Sequence, residues 1–269
     1  SQKYSRVKIY ANEKEIITLS KLGLALEGEI RKGVYVVLEI SEKEIQLIRE
    51  NGFKYDVMID DVSSYYSNRN IQKSTKSYAE FFDTIAYLPC EQHLNTIYKT
   101  PAHFSKGSMG GFYTYTEMIA QLDTMVKLFP GLITARQTIG PITTVEGHSI
   151  HWVKISDNPN VNEQEPQVLY TALHHAREPQ GMQSLMFYMY YLLENYSTDT
   201  NIRNLVNNTE MYFIPCVNPD GYVYNQTIQP MGGGMWRKNR KDNDDGSFGI
   251  DLNRNYGYMW GYDDVGSSP

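Results

Sequence analysis

The sequence predicts an α/β protein, strands alternating with helices, preceded by a small α+β open sandwich. Two observations carry this. Apolar runs of strand length alternate with helical periodicity after about residue 111, and a complete set of shorter strand and helix signals fits within the first 60 or so residues. A third bounds it: 269 residues, 41% hydrophobic, allow one large domain or two smaller ones.

Val7, Ile9 and Ala11 alternate with Arg6, Lys8 and Tyr10, the pattern of a half-buried strand. Asn12 with Glu15 then forms a capping box for a helix carrying Ile16, Leu19 and Leu22. A turn over 28–33 leads into a strand from Val34 to Leu38, and Ser41 with Glu44 repeats the capping pattern before Ile45 and Ile48. Asn51-Gly52 stops that helix and a strand over 55–62 closes the unit. These residues, 1–66, form the first domain and carry no chemical motif.

Residues 67–110 read as an irregular linker and docking segment, rich in serine and asparagine at their start. The second domain spans 111–269. Thr114 and Glu117 cap a helix that ends at Pro130-Gly131, and its apolar face is Met118, Leu122, Met125, Val126 and Leu128. Strands are expected over 133–139 and 149–155, and a buried strand over 167–173. A helix over 180–196 has Met182, Met186, Met189, Tyr190, Leu192 and Leu193 as a core face. A second buried strand, 211–217, ends in the turn Asn218-Pro219-Asp220-Gly221.

The net charge of -6 gives no general attraction to nucleic acid or anionic membranes, and no apolar run of about 20 residues spans a bilayer. Two cysteines, Cys90 and Cys216, are too few for a disulfide scaffold or a CxxC zinc site, and one disulfide or two packed thiols both remain open. Any metal chemistry must therefore use histidine and carboxylates.

His175 and Glu178 have the H-x-x-E spacing that lets an imidazole and a carboxylate from one turn meet a metal ion after a strand. Taken alone, that spacing fits equally a solvated turn with a glutamate at the positive end of a helix. Downstream, Arg237, Arg240, Asn253 and Arg254 lie in loop-like sequence, where planar bidentate donors suit carboxylate recognition. If His174 continues the strand, it points away from its neighbour, a structural role. His148 and His151 fall on opposite faces of a strand and do not chelate together; His93 and His103 belong to the connecting region, and Gly232 to Gly234 read as a flexible loop.

HHAREPQG at 174–181, NPDG at 218–221, WRKNR at 236–240 and DLNRNYGYMWG at 251–261 together resemble the zinc metallocarboxypeptidases, in the family's order and with similar spacing. The resemblance implies a mixed sheet flanked by helices, and one zinc ion held by His175 and Glu178, with Asp251 orienting a ligand imidazole. It implies that Arg240 polarises the scissile carbonyl and stabilises the oxyanion, and that Asn253 and Arg254 grip the terminal carboxylate of a peptide or protein substrate. Arg177 and Arg237 would contact more distant substrate groups. The implied function is a zinc-dependent carboxypeptidase precursor that cleaves the C-terminal peptide bond. A non-catalytic peptide-binding homologue and a related zinc endopeptidase or amidase are the alternatives.

In the family, the third zinc ligand and the general base lie beyond the segment matched here. The expectation is that 1–269 is the N-terminal portion of a longer polypeptide whose remaining half completes the site and the sheet, and that the fragment alone is inactive. Domain 1–66 resembles the pro-segment of carboxypeptidase precursors in size, position and element order. A secreted or periplasmic location follows from the resemblance only.

Overall fold

The structure, a computed structural model, describes residues 3–73 and 99–257. Alternation in the first segment becomes β1 (Tyr4–Tyr10), with Val7 and Ile9 fully buried. The capping boxes form as the side chains dictate: Asn12 opens α1 (Glu13–Lys21) and Ser41 opens α2 (Glu42–Glu50), each with its glutamate three residues on. Between the helices run β2 (Glu29–Arg31) and β3 (Tyr35–Ser41), and β4 (Lys54–Ile59) follows α2. The sheet is antiparallel in the order β2-β3-β1-β4. Leu19 and Ile48 from the two helices join Val7, Ile9, Val36, Leu38 and Ile40 in one core. Burial of these side chains, at roughly 1.5–3 kcal/mol each, is what holds so small a unit together.

Two expectations need correction here. The 28–33 turn contains strand β2, too short and too polar to show alternation. The stretch after Ser63 is not irregular from its start, because helix α3 (Val62–Lys73) runs through it. Its serines and asparagines are poor helix formers, so local propensity pointed elsewhere. Asp61 accepts from the Ser64 amide at 2.9 Å at its start, and tertiary contacts hold the rest, with Val62 fully buried and the Ser67 hydroxyl donating to the Gly232 carbonyl at 2.7 Å.

That last bond belongs to a seam between the two units. Gly233 has φ +91°, and a Cβ there would stand 2.8 Å from the Ser63 carbonyl oxygen. The triple glycine is thus a seat for α3 rather than a free loop. Gly233→Ala is expected to loosen α3, raising its hydrogen exchange or proteolysis severalfold, with Gly131→Ala, which meets nothing within 4 Å, as the neutral control.

The second core is built on α4 (Tyr115–Leu128), α5 (Pro179–Asn195), α6 (Thr200–Val206) and α7 (Pro219–Ile228) against a four-stranded mixed sheet. Its strands are β5 (Gln137–Thr138), β6 (His151–Ile155), β7 (Gln167–Thr171) and β8 (Glu210–Ile214), in the order β5-β6-β8-β7. Among the described residues, only its β7/β8 pair is parallel. Met182, Met186, Met189 and Leu192 of α5 are fully buried with Leu122 and Met125 of α4 and Phe213 of β8. The apolar stripe of α5 is therefore core.

Three strand readings shift. The 133–139 strand reduces to β5 and a bridge from Ile133 to Ile155. β7 was expected to be buried, yet Leu169 is 61% exposed, because β7 pairs with β8 alone among the described residues and ends the sheet there. NPDG is not a free turn: Asn218 accepts from the Gly221 amide and Pro219 occupies the first turn of α7, where its missing N–H costs nothing.

The Lys154 ammonium, on β6, donates to Glu210, on β8, at 2.7 Å, with side chains 5% and 0% exposed. Cys216 is a buried free thiol and Cys90 lies outside the described residues, as do His93 and residues 258–261 of the last motif.

Candidate active site

β7 and β8 run parallel and end at the same rim, the place where open α/β sheets hold ligands. Beyond β7 the chain turns sharply at Leu173, whose φ of 57° is costly for a residue with a Cβ. That turn breaks the strand before His174, so strand parity does not govern the two histidines. Both rings line one open cavity of 430 Å³ with Glu178, Leu185 and Asn253. His174 Nε2 lies 2.6 Å from the Tyr256 hydroxyl.

Glu178 is the residue that caps α5, but its carboxylate makes no cap hydrogen bond. Instead both its oxygens lie 3.1 Å from His175 Nδ1. His175 is 5% exposed, and its other nitrogen, Nε2, is 3.0 Å from Asp251 Oδ1. Asp251 Oδ2 accepts from Arg237 Nε at 3.0 Å and Nη2 at 2.8 Å. Burial works against charge on both partners. Even so, the Asp251 and Glu178 carboxylates raise His175 to about 9, and His175 with Arg237 holds Asp251 well below the usual carboxylate range.

The donor set fits zinc. With Nε2 facing Asp251, Nδ1 is the nitrogen turned toward Glu178, and ligands at about 2.0–2.2 Å in a tetrahedral shell stand roughly 3.3–3.5 Å apart. The 3.1 Å separation of Nδ1 and the Glu178 oxygens is close to that. Glu27, on the loop between α1 and β2, is a third neighbour that no motif in the sequence signals. Its oxygens accept from Arg237, and its donor atom lies within 4.8 Å of those of His175 and Glu178.

Of the remaining residues expected in the site, Arg254 has Nη2 3.8 Å from Glu27 Oε1, and Arg177 Nη1 donates to the Glu39 carbonyl at 3.1 Å. Arg237 is nearly buried, against Asp251 and Glu27. Arg240 stacks over Tyr224, with 3.9 Å to the ring centroid, beside Trp236 and Phe248, and donates to Glu146 at 3.3 Å. His148 precedes β6 and lies 2.8 Å from Asp220, whereas His151 faces Arg136, so the two do not share a ligand, though the parity argument for that did not apply. His103 faces Glu194 at 3.0 Å.

Two asparagines fix the loops that carry these groups. Asn218 Nδ2 donates to the carbonyls of His174 and Lys238. Asn225 Nδ2 donates to those of Ala176 and Trp236 while its Oδ1 accepts from the Trp236 amide. The loop that carries His175 and Glu178 and the loop that carries Arg237 are therefore stitched together at the backbone.

Comparison with known proteins bears on this arrangement. The Peptidase_M14 family model, zinc carboxypeptidase, matches residues 118–269, more than half of the chain. A zinc carboxypeptidase of Saccharothrix mutabilis subsp. capreolus is 36% identical over 151 residues, covering 56% of this chain and 33% of its own length. Carboxypeptidase A2 of Mus musculus is 30% identical over 164 residues, covering 60% and 36%. A protein of Ajellomyces capsulatus named as an inactive metallocarboxypeptidase is 30% identical over 148 residues, covering 54% and 23%. The chain thus spans about a third or less of the length of these relatives. Carboxypeptidase A of Helicoverpa armigera superposes with a TM-score of 0.63 at 22% identity, over 97% of this chain and 59% of that one. Thrombin activatable fibrinolysis inhibitor does so with 0.60 at 16%, over 96% and 60%. Both structural matches extend over the small sandwich as well as the larger sheet, and they establish the mixed-sheet fold. On the family match and the motifs that underlie it, this chain belongs to the zinc carboxypeptidase family.

Proposed function

We propose that the protein is a zinc-dependent carboxypeptidase in precursor form, which releases C-terminal residues from peptides or proteins once the small sandwich, residues 1–66, no longer covers the site. The observation that carries this is the His175–Glu178 pair, backed by Asp251, with Asn253 in the same cavity. Zinc held there would supply a Lewis acid for the scissile carbonyl and for water. Asn253 and Arg254 bind and orient the substrate's terminal carboxylate, and Arg240, once it swings from its aromatic stack, meets the developing oxyanion. Asp251 keeps the His175 tautomer fixed throughout. The resemblance places neither a third histidine ligand nor the general base among the described residues. Residues 1–269 alone are proposed to be inactive.

Latency is supported by what the sandwich occupies. Glu27 lies against Arg237 and Arg254, and the Glu39 carbonyl takes Arg177, so three guanidiniums proposed to face substrate are engaged by residues of 1–66. A secreted or periplasmic location belongs to the same reading; no described helix is long and apolar enough to cross a membrane.

Peptides with free and amidated C-termini separate the possibilities. The full-length protein, after removal of the sandwich, is expected to cleave the free form roughly 10–100-fold faster, the worth of charged hydrogen bonds to a carboxylate. Equal rates would indicate an endopeptidase or amidase. The relative named as inactive keeps a non-catalytic binding role in view, and stoichiometric zinc without turnover of either peptide would establish that role instead.

A further inference from the structure

Asp220, in the first turn of α7, is a carboxylate only 1% exposed, and it gathers one turn of the chain that precedes β6. Its oxygens accept from the Thr144 hydroxyl and, at 3.2 Å, from the Glu146 amide, and His148 Nδ1 lies 2.8 Å away. The turn also closes on itself. The Thr144 amide donates to the His148 carbonyl at 2.9 Å, and the His148 amide donates to the Thr144 hydroxyl at 3.0 Å. The backbone at Glu146 is thereby fixed from within the protein, while its side chain stays 40% exposed and reaches the arginine loop.

There it meets Arg240. Nε–H donates to Glu146 Oε1 at 3.3 Å, and the guanidinium carbon lies 3.9 Å from the ring centroid of Tyr224, 4.5 Å from that of Trp236 and 5.2 Å from that of Phe248. Three rings and one carboxylate form a slot around the guanidinium. Asp220 and Tyr224 are four residues apart on α7, so one helix face sets both the turn that carries Glu146 and the nearest ring. The carboxylate is built into the slot as firmly as the rings are.

We infer that Glu146 is a positioning residue: it holds Arg240 in this slot and so sets how readily the guanidinium reaches a developing oxyanion. This rests on the proposed carboxypeptidase reading and deepens it. A contact made in the resting state and given up in the transition state slows the chemical step, so the restraint acts on kcat rather than on substrate capture. An exposed ion pair is weak and is screened by salt, whereas partly buried contacts are screened much less. Glu146 is thus the part of the slot that salt relaxes, while the rings remain in place.

The test uses the full-length protein after removal of the sandwich, assayed on a peptide with a free C-terminus. Glu146→Gln is expected to raise kcat about two- to fivefold at low salt with KM unchanged, the worth of an exposed ion pair. Glu146→Lys, which repels the guanidinium, raises it further. Wild-type kcat climbs toward the Glu146→Gln value as NaCl goes from about 0.05 to about 1 M, and the variant loses that dependence, which a merely structural role for Glu146 does not produce. Lys127→Gln, on the exposed last turn of α4, keeps the wild-type salt profile. Acrylamide quenching of Trp236, isolated by difference against Trp236→Phe, follows the slot without catalysis and is expected to rise in Glu146→Gln. With Arg240→Ala impaired, an unchanged or lowered kcat or an unchanged quenching in Glu146→Gln would overturn the inference. Arg240→Ala turning over at the wild-type rate, or no turnover by any of these proteins, would instead remove the reading beneath it and the inference with it.

Discussion

Replacing Lys154 by alanine is expected to destabilise the larger domain by about 3–5 kcal/mol, because it strands the Glu210 carboxylate between β6 and β8 without a counter-charge. Glu210 has no solvent exposure to fall back on. Burial alone would push its carboxyl up. Against that, the Lys154 ammonium, the Glu163 amide and the Gln167 side-chain amide hold it at about 2. The sign of the pH dependence follows. A carboxyl whose folded pKa is depressed binds its proton more readily when unfolded, so its contribution is complete above the ordinary value near 4.5 and is lost as pH falls toward 2. Urea midpoints measured at pH 7, 5 and 3 are expected to fall steeply between the last two in the unaltered protein. Glu210→Gln should flatten that part of the profile at the expense of stability at pH 7. A Lys154→Ala midpoint unchanged at pH 7 would show that Glu210 finds another partner.

Asp251→Ala is expected to reduce zinc affinity about 10–100-fold, the usual effect of removing the acceptor that orients a ligand histidine. The loss has two sources. His175 no longer has an anion on Nε2 to fix its tautomer, and Arg237 no longer has the carboxylate that holds it at the edge of the ring. Asp251→Asn separates them, since it retains an acceptor for Nε2–H but not the charge that anchors Arg237; an intermediate affinity is expected. Chelator competition measures all three proteins, and a wild-type affinity in Asp251→Ala would remove this residue from the metal site.

The parts of this architecture legible in the sequence were those encoded locally. Asn12 with Glu15, Ser41 with Glu44 and Thr114 with Glu117 each satisfy helix-end amides within four residues, so their geometry follows from spacing. The α5 stripe was equally readable, because period and burial coincide. Helix α3 was not, since its sequence disfavours helix and its support comes from Gly232 and Gly233, more than 160 residues away. Asn218-Pro219-Asp220-Gly221 carries turn residues that serve as well to start a helix, and only the chain that follows distinguishes the two uses. In the site, the pairing of His175 with Glu178 is local, whereas Asp251 and Arg237 were placed through family resemblance. Glu27 had neither signal. It sits in a polar turn, and its role depends on how the small sandwich docks.

The stitching by Asn218 and Asn225 has a consequence for how the site responds to its surroundings. Titration and salt act on charges, and the carboxylates, imidazole and guanidiniums of this corner are exposed to both influences. The spacing between the loop that offers His175 and Glu178 and the loop that offers Arg237 is instead set by uncharged amide-to-carbonyl bonds, which neither influence reaches. The two loops are thus joined by uncharged bonds as well as by the charges mounted on them, so salt can weaken the ion pairs of this corner while those amide-to-carbonyl bonds still set the spacing of the loops.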